Sequence, residues 1–236
     1  MRLLLLSNSK NYGMGYLEHA RAPLCDFLGD GVREVLFVPY AGVRLSYDDY
    51  AAHVRAAFEP LGYRLPSIHE AEDPVAAVRK AEAVAVGGGN TFHLVHELYA
   101  NGVMDALRAR AAGGMPYLGW SAGSNVACPT LRTTNDMPIV EPPSFRTLGL
   151  VPFQINPHYL DAHPDHHMGE TREDRIVEFT VVNPDVYVVG LREGSLLRLD
   201  GGALRLLGPK PMRVFRHGEQ AREVQPGDDL GFLRRP

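Results

Sequence analysis

The run YLGWSAGSNVA, residues 117–127, sets Ser121 between Gly119 and Gly123 at the end of an apolar stretch. The spacing is G-x-S-x-G, that of a nucleophile elbow. In such a turn a strand stops, a helix starts, and the serine hydroxyl stands exposed at the carboxyl end of a sheet. Glycines suit the flanking positions because a β-carbon there would crowd the turn. The same five residues also describe a serine that N-caps a helix, so the surroundings decide.

A serine hydroxyl is a weak nucleophile at neutral pH and needs a base, usually histidine, held in place by an acid. Ten histidines are present. His158 stands apart because it follows LVPFQINP, an apolar run that reads as a buried strand, which puts it at a carboxyl end beside Ser121. His19, His53, His69, His93 and His96 fall on helices or strand ends and read as structural. Two acids compete to orient the imidazole: Asp136 in the irregular TTNDMPIV, and Glu193 in GLREGS. Triads recur in unrelated chain orders, so order does not choose between them. The plainer readings are a turn-making Asp136 and a solvated hairpin Glu193.

Acyl transfer also needs donors for the oxyanion. The backbone N–H of Ala122 would be one, and Gly88 or Gly89 in GGGN (87–90) could supply the second. As a phosphate loop, GGGN lacks both the Walker lysine and the G-x-G-x-x-G spacing. In HPDHHMGETREDR (163–175), His163, Asp165, His166 and His167 could meet a metal, but their spacing matches no helical zinc pair. Neither metal nor cofactor is therefore expected. Arg172 and Arg175 follow the candidate base closely, where a guanidinium could grip a carboxylate bidentately.

Such residues need a sheet to bring them together. RLLLLSN (2–8), REVLFVPYA (33–41), AEAVAVGGG (81–89) and MPYLGW (115–120) read as buried strands, with YRLPSIH (63–69) a weaker one. Segments of helical spacing alternate with them, which predicts a parallel sheet built from right-handed crossovers. Beyond about residue 183 alternating runs around DGG predict antiparallel strands that extend one edge of that sheet. Residues 129–151 form a long stretch without a regular pattern, of the kind that is functional or mobile in compact domains. No repeat, linker or low-complexity tract divides the chain, so residues 1–236 read as one catalytic domain.

Composition sets outer limits. The 236 residues are 45% hydrophobic and carry a net charge of −4, which offers no bulk attraction to nucleic acid or anionic lipid. Cys25 and Cys128 are too few for a disulfide framework or a four-thiolate zinc site. No window approaches the ~20 apolar residues of a bilayer span, and LLLL is too short for a signal segment. A cytoplasmic location is expected.

GGGNTFHL, GWSAGSNVA, TTNDMPIV, INPHY and GETREDRI, in this order and spacing, resemble the peptidase E family, the α-aspartyl dipeptidases of bacteria. The opening SNSKNYGMGYLEHA is similar too, and the resemblance covers nearly the whole chain. It implies a flavodoxin-like α/β three-layer sandwich, mostly parallel and related to class I glutamine amidotransferases, with serine in place of their cysteine. It also implies a metal-independent serine peptidase that cuts dipeptides after an amino-terminal aspartate, and it suggests a homodimer. Carried over, Ser121 is the nucleophile and His158 the base. Asp136 and Glu193 both match positions assigned the acid role; Asp136 is preferred and Glu193 stays open as its rival. Asn90 and Arg172 match positions that hold the substrate aspartate. One departure is Ser124, where relatives often carry alanine. The competing functions are a cyanophycinase-like aspartyl-arginine hydrolase and a non-catalytic binder of an acidic metabolite. A glutamine amidotransferase is excluded, because Cys128 lies seven residues beyond the elbow serine.

Overall fold

The first strand, β1 (Leu3–Leu6), is four leucines, and its alternate side chains serve two different cores. Leu3 and Leu5 join one apolar cluster, Leu4 and Leu6 another. The same division holds in β2 (Val35–Val38) and β3 (Ala83–Val86), where Leu36, Val38, Val84 and Val86 face one way and Val35, Phe37, Ala83 and Ala85 the other. Strands buried on both faces need apolar residues at every position, which is why these segments read as runs and not as alternations. In this computed structural model, which describes residues 1–161 and 169–234, helices cover both faces.

On one face lie α1 (Arg21–Leu28) and α2 (Tyr47–Phe58). On the other lie α3 (Pro74–Lys80), α4 (Thr91–Ala100) and α5 (Val103–Ala112). Their starts follow sequence signals: Ser46 and Asp73 cap α2 and α3 through their side chains, and Pro74 occupies the first turn of α3. The chain then runs through β4 (Tyr117–Trp120), the short α6 (Ala122–Asn125), β5 (Gln154–Tyr159) and α7 (Arg172–Val182). It ends with β6 (Val188–Arg192), β7 (Leu196–Asp200), β8 (Ala203–Leu207), β9 (Met212–Phe215) and β10 (Arg222–Val224).

The main sheet has six strands in the order β2-β3-β4-β1-β7-β8. β1 to β4 are parallel, while β7 and β8 add an antiparallel edge as expected. The β7–β8 hairpin turns on Gly201 and Gly202, with φ of 56° and 81°, the two positive values that a two-residue type I′ turn demands. The rest of the tail departs from expectation. β6, β9 and β10 do not extend the main sheet; with β5 they form a second one, ordered β10-β9-β6-β5. Ile155, Val189 and Leu191 of this sheet enter the main core, while Tyr159, Val188 and Phe215 meet Ile176 of α7 on the opposite side. YRLPSIH likewise falls short of a strand: it runs beside β2 through isolated bridges, Arg64 with Glu34 and Ser67 with Phe37, and between them Pro66 has no N–H to donate.

Among the described residues no helix is long and apolar enough to cross a membrane. The irregular 129–151 segment is tied to the outer edge of β5. Thr133 donates to the Ile155 carbonyl at 2.9 Å, Asn156 returns a bond to Thr133, and Asn135 donates to the Pro157 carbonyl at 2.7 Å.

Candidate active site

The elbow forms where the G-x-S-x-G spacing places it. Ser121 links β4 to α6 with φ 53° and ψ −111°, a conformation that costs a non-glycine residue roughly 1–3 kcal/mol and survives only where neighbours enforce it. Here they do: Ser121 donates its N–H to Leu6 at 3.1 Å, and its carbonyl accepts from Ser124 and Asn125 at 3.0 Å each. The flanking glycines are steric requirements. A β-carbon on Gly119 would lie 2.4 Å from the Gly123 carbonyl oxygen, and one on Gly123 would lie 2.1 Å from that of Val86. Ser124, the departure from the family pattern, is fully buried, and its hydroxyl lies 2.7 Å from the Leu6 carbonyl and 2.8 Å from that of Gly119. It fastens the elbow helix to β1 and β4.

His158 stands on β5, not after it. The β5–β6 register shifts between Pro157 and Tyr159, and His158, with φ 55°, is the bulged residue. Bulges redirect a side chain out of the pleat. This one turns the imidazole so that Nε2 lies 3.0 Å from Ser121 Oγ. What pins the bulge is not legible in the residues around it. Ser7, buried at the end of β1, accepts the His158 N–H at 2.9 Å and donates to the Leu191 carbonyl at 2.7 Å, so a single hydroxyl joins three strands at the base.

Of the two candidate acids, Glu193 is the one that contacts the imidazole, and the preferred Asp136 does not. Glu193 Oε1 lies 2.7 Å from His158 Nδ1. Parallel pairing of β5 with β6 brings it there, because Arg192 sits opposite Tyr159 and Glu193 follows directly. Asp136 is held elsewhere by the start of α4. Its Oδ2 accepts from the Thr91 N–H at 2.8 Å, the Thr91 hydroxyl at 2.6 Å and the Thr134 hydroxyl at 2.9 Å. Asn90 caps the same helix, accepting from the His93 N–H and donating to the Met137 carbonyl.

Ser121, His158, Gly88, Gly89, Asn90 and Asp136 all line one cavity of about 730 Å³. Among the described residues the N–H groups of Gly88, Gly89 and Ala122 make no hydrogen bond, which leaves all three candidate oxyanion donors free. The strip lies close against the nucleophile: a β-carbon on Gly88 would come within 3.0 Å of Ser121 Cβ. Val43, Arg44, Leu45 and Ile139, all exposed, form a further part of the wall.

Arg172 is not in that wall. It is half-buried at the start of α7, and among the described residues it makes no hydrogen bond or ion pair. Burial lowers its pKa, Arg175 lowers it further, and the charges of Glu193 and Asp136 oppose both. A partly desolvated cation without a partner favours an anion beside it. Arg175 is exposed and engaged with Glu170 at 3.5 Å. His163, Asp165, His166 and His167, the residues considered for a metal, lie outside the described residues.

A strained serine at a strand–helix turn, a histidine on its hydroxyl and a carboxylate behind the histidine define a serine hydrolase on an α/β scaffold. Residues 3–207 match the model of peptidase family S51. The chain is 51% identical over 232 residues to peptidase E of a Nostoc species, covering 98% of this chain and 96% of that one. It is 54% identical to peptidase E of Streptomyces coelicolor, covering 99% and 95%. The fold matches the crystal structure of a peptidase from an acI-B1 Actinobacterium with a TM-score of 0.70 at 18% identity, over 97% and 96% of the two chains. This chain belongs to peptidase family S51 and is a serine-type peptidase.

Proposed function

We propose that the chain hydrolyses dipeptides with amino-terminal aspartate, with Ser121 as nucleophile, His158 as general base and acid, and Glu193 as the group that orients the imidazole. The contact chain from Ser121 Oγ through His158 to Glu193, at 3.0 and 2.7 Å, carries this reading. His158 takes the serine proton as Oγ attacks the carbonyl, then returns it to the departing amine. Water, activated by the same histidine, hydrolyses the aspartyl ester. The free N–H groups of Ala122 and the glycine strip take the negative charge that develops on the carbonyl oxygen.

Selectivity for aspartate follows from charge. Arg172, half-buried and unpaired among the described residues, supplies the cation for the substrate side chain. Asp136, whose Oδ1 is left free by the three bonds on Oδ2, supplies an anion for the substrate's ammonium group. A substrate without the side-chain carboxylate leaves the half-buried Arg172 without a counter-ion, which discriminates strongly in a small site. On the other flank, Val43, Leu45 and Ile139 with Arg44 suit an apolar residue bearing a free carboxylate. They oppose the arginyl leaving group of a cyanophycinase-like enzyme. A cytoplasmic setting accords with Cys25 and Cys128 both being free thiols.

The test is release of amino acid from Asp-Leu, its β-linked isomer and Leu-Leu, by wild type and Ser121→Ala, with and without a chelator. Cleavage of α-Asp-Leu alone, unaffected by the chelator and lost by about 10³-fold or more in Ser121→Ala, is expected. Activity on none of the three overturns the reading. Activity that survives in Ser121→Ala moves the site elsewhere.

A further inference from the structure

We propose that Tyr50 is a positioning residue for the oxyanion hole, and that by holding the Gly88 carbonyl it makes the Gly89 N–H, not that of Gly88, the second donor. The proposal rests on the acyl-transfer reading above and adds to it a residue that acts through the backbone it holds.

Tyr50 comes from α2 and is 7% exposed. Its hydroxyl lies 3.0 Å from the Gly88 carbonyl oxygen, 3.3 Å from Trp120 Nε1 and 3.3 Å from the Tyr16 hydroxyl. A carbonyl can only accept and an indole N–H can only donate. The proton of Tyr50 therefore goes to Gly88, its oxygen accepts from Trp120, and Tyr16 is left to donate. Burial raises the pKa of both phenols, so the proton stays on the oxygen that needs it.

The glycines around Tyr50 show that the contact is built in. A β-carbon on Gly87 would lie 2.6 Å from the Tyr50 hydroxyl, and one on Gly42 would lie 2.9 Å from the ring. Gly89 has φ +137°, and a β-carbon there would meet the Ala41 carbonyl at 2.1 Å. The triple glycine thus lets the strip lie between the phenol, the β2–α2 loop and the nucleophile. The planarity of the peptide then supplies the direction. No peptide bond among the described residues is cis, and in a trans peptide the C=O and the following N–H point opposite ways. With the Gly88 carbonyl turned onto Tyr50, the Gly89 N–H faces away from the phenol; Gly89 lines the cavity beside Ser121, and its N–H makes no hydrogen bond among the described residues. Trp120 immediately precedes Ser121, so one phenol oxygen links the oxyanion strip to the nucleophile's own strand.

The experiment compares wild type, Tyr50→Phe and Tyr16→Phe on Asp-Leu, and measures free aspartate binding by calorimetry. Tyr50→Phe is expected to lower kcat about 10- to 100-fold, less than or equal to the loss of a whole oxyanion donor, with KM and aspartate affinity within twofold. Tyr16→Phe leaves the Gly88 bond in place and is expected to change kcat less than threefold. If Tyr50→Phe does not fold, Tyr50→4-fluorophenylalanine fills the same space without a donor. Tyr50→4-aminophenylalanine restores a donor and is expected to recover most of the rate.

A readout independent of activity comes from protein labelled with glycine carrying ¹³C in its carbonyl and ¹⁵N. Only the four Gly–Gly peptides, 87–88, 88–89, 113–114 and 201–202, then give carbonyl–amide correlations. The 88–89 signal is expected to move in Tyr50→Phe, while 113–114 and 201–202 stay in place. A stationary 88–89 signal, an unchanged kcat, or equal losses in kcat and aspartate affinity would overturn the proposal. A wild type inactive on Asp-Leu removes the function reading and the oxyanion role with it, and leaves the clamp itself to the carbonyl signal.

Discussion

Two carboxylates near one histidine differ in what already binds them. Glu193 has its contact to His158 at 2.7 Å, whereas Asp136 Oδ2 is saturated by three donors at the start of α4. Glu193→Gln is therefore expected to lower kcat about 100-fold or more with little change in KM, because the amide cannot stabilise the imidazolium. Asp136→Asn is expected to raise KM more than it lowers kcat. Steady-state kinetics of the two variants on Asp-Leu separates these outcomes. The thiols differ as sharply. Cys128 is fully buried and burial pushes its pKa up to about 12, while Cys25 is half-buried. Native protein is expected to release one equivalent of chromophore with a disulfide reagent and keep its activity, and to release two after denaturation.

At this scale Ser121, His158 and the glycine strip were legible, because each lies where a buried run meets a turn. Which carboxylate reaches the imidazole was not. It depends on β5 pairing with β6 in register, with Tyr159 opposite Arg192, and register between strands some thirty residues apart leaves no mark on either segment. Ser7 and Tyr50 were missed for a related reason. Each acts through one hydroxyl on the backbone of a distant strand or loop, and nothing in SNS or DDYAAH advertises that.

Among the elements, the elbow is the least tolerant. Gly123→Ala would drive a β-carbon to 2.1 Å from the Val86 carbonyl oxygen, and a loss of about 3 kcal/mol or failure to fold is expected. Ser124→Ala removes a hydroxyl shared between two carbonyls and should cost about 1 kcal/mol while leaving kcat intact. Urea denaturation of both variants tests the pair. The end of β6 has an electrostatic anchor of its own. Arg192 donates to Asp161 and Glu223, stacks over Tyr159 and lies beside Glu193 in the chain. Its guanidinium holds both carboxyls below their usual pKa. Groups with depressed folded pKa contribute stability that is present above the unfolded value of about 4 and lost as pH falls through the folded one. Wild-type Tm should therefore drop progressively below about pH 4, with a shallower slope in Arg192→Gln. Half-exposure of the two carboxylates keeps the effect modest.

For the whole molecule, alternation of strand and helix was enough to read the parallel half of the sheet and the faces its helices cover. The tail was harder. Its strands were legible, and so was the DGG turn, but which sheet each strand joins was not. Membership is decided by packing of Ile155, Val189 and Leu191 into the main core, not by anything local to the strands.

β1 lies in the middle of the main sheet, with Leu3 opposite Tyr117 on one side and Leu199 on the other. Ser121 hangs from the carbonyl of Leu6 at the end of that strand, and the base from Ser7 beside it. β1 thus keeps one edge unpaired until β7, far along the chain, is laid against it. A chain cut before β7 would leave that edge bare on the strand from which both Ser121 and His158 are held, and a loss of activity is expected even with the elbow intact.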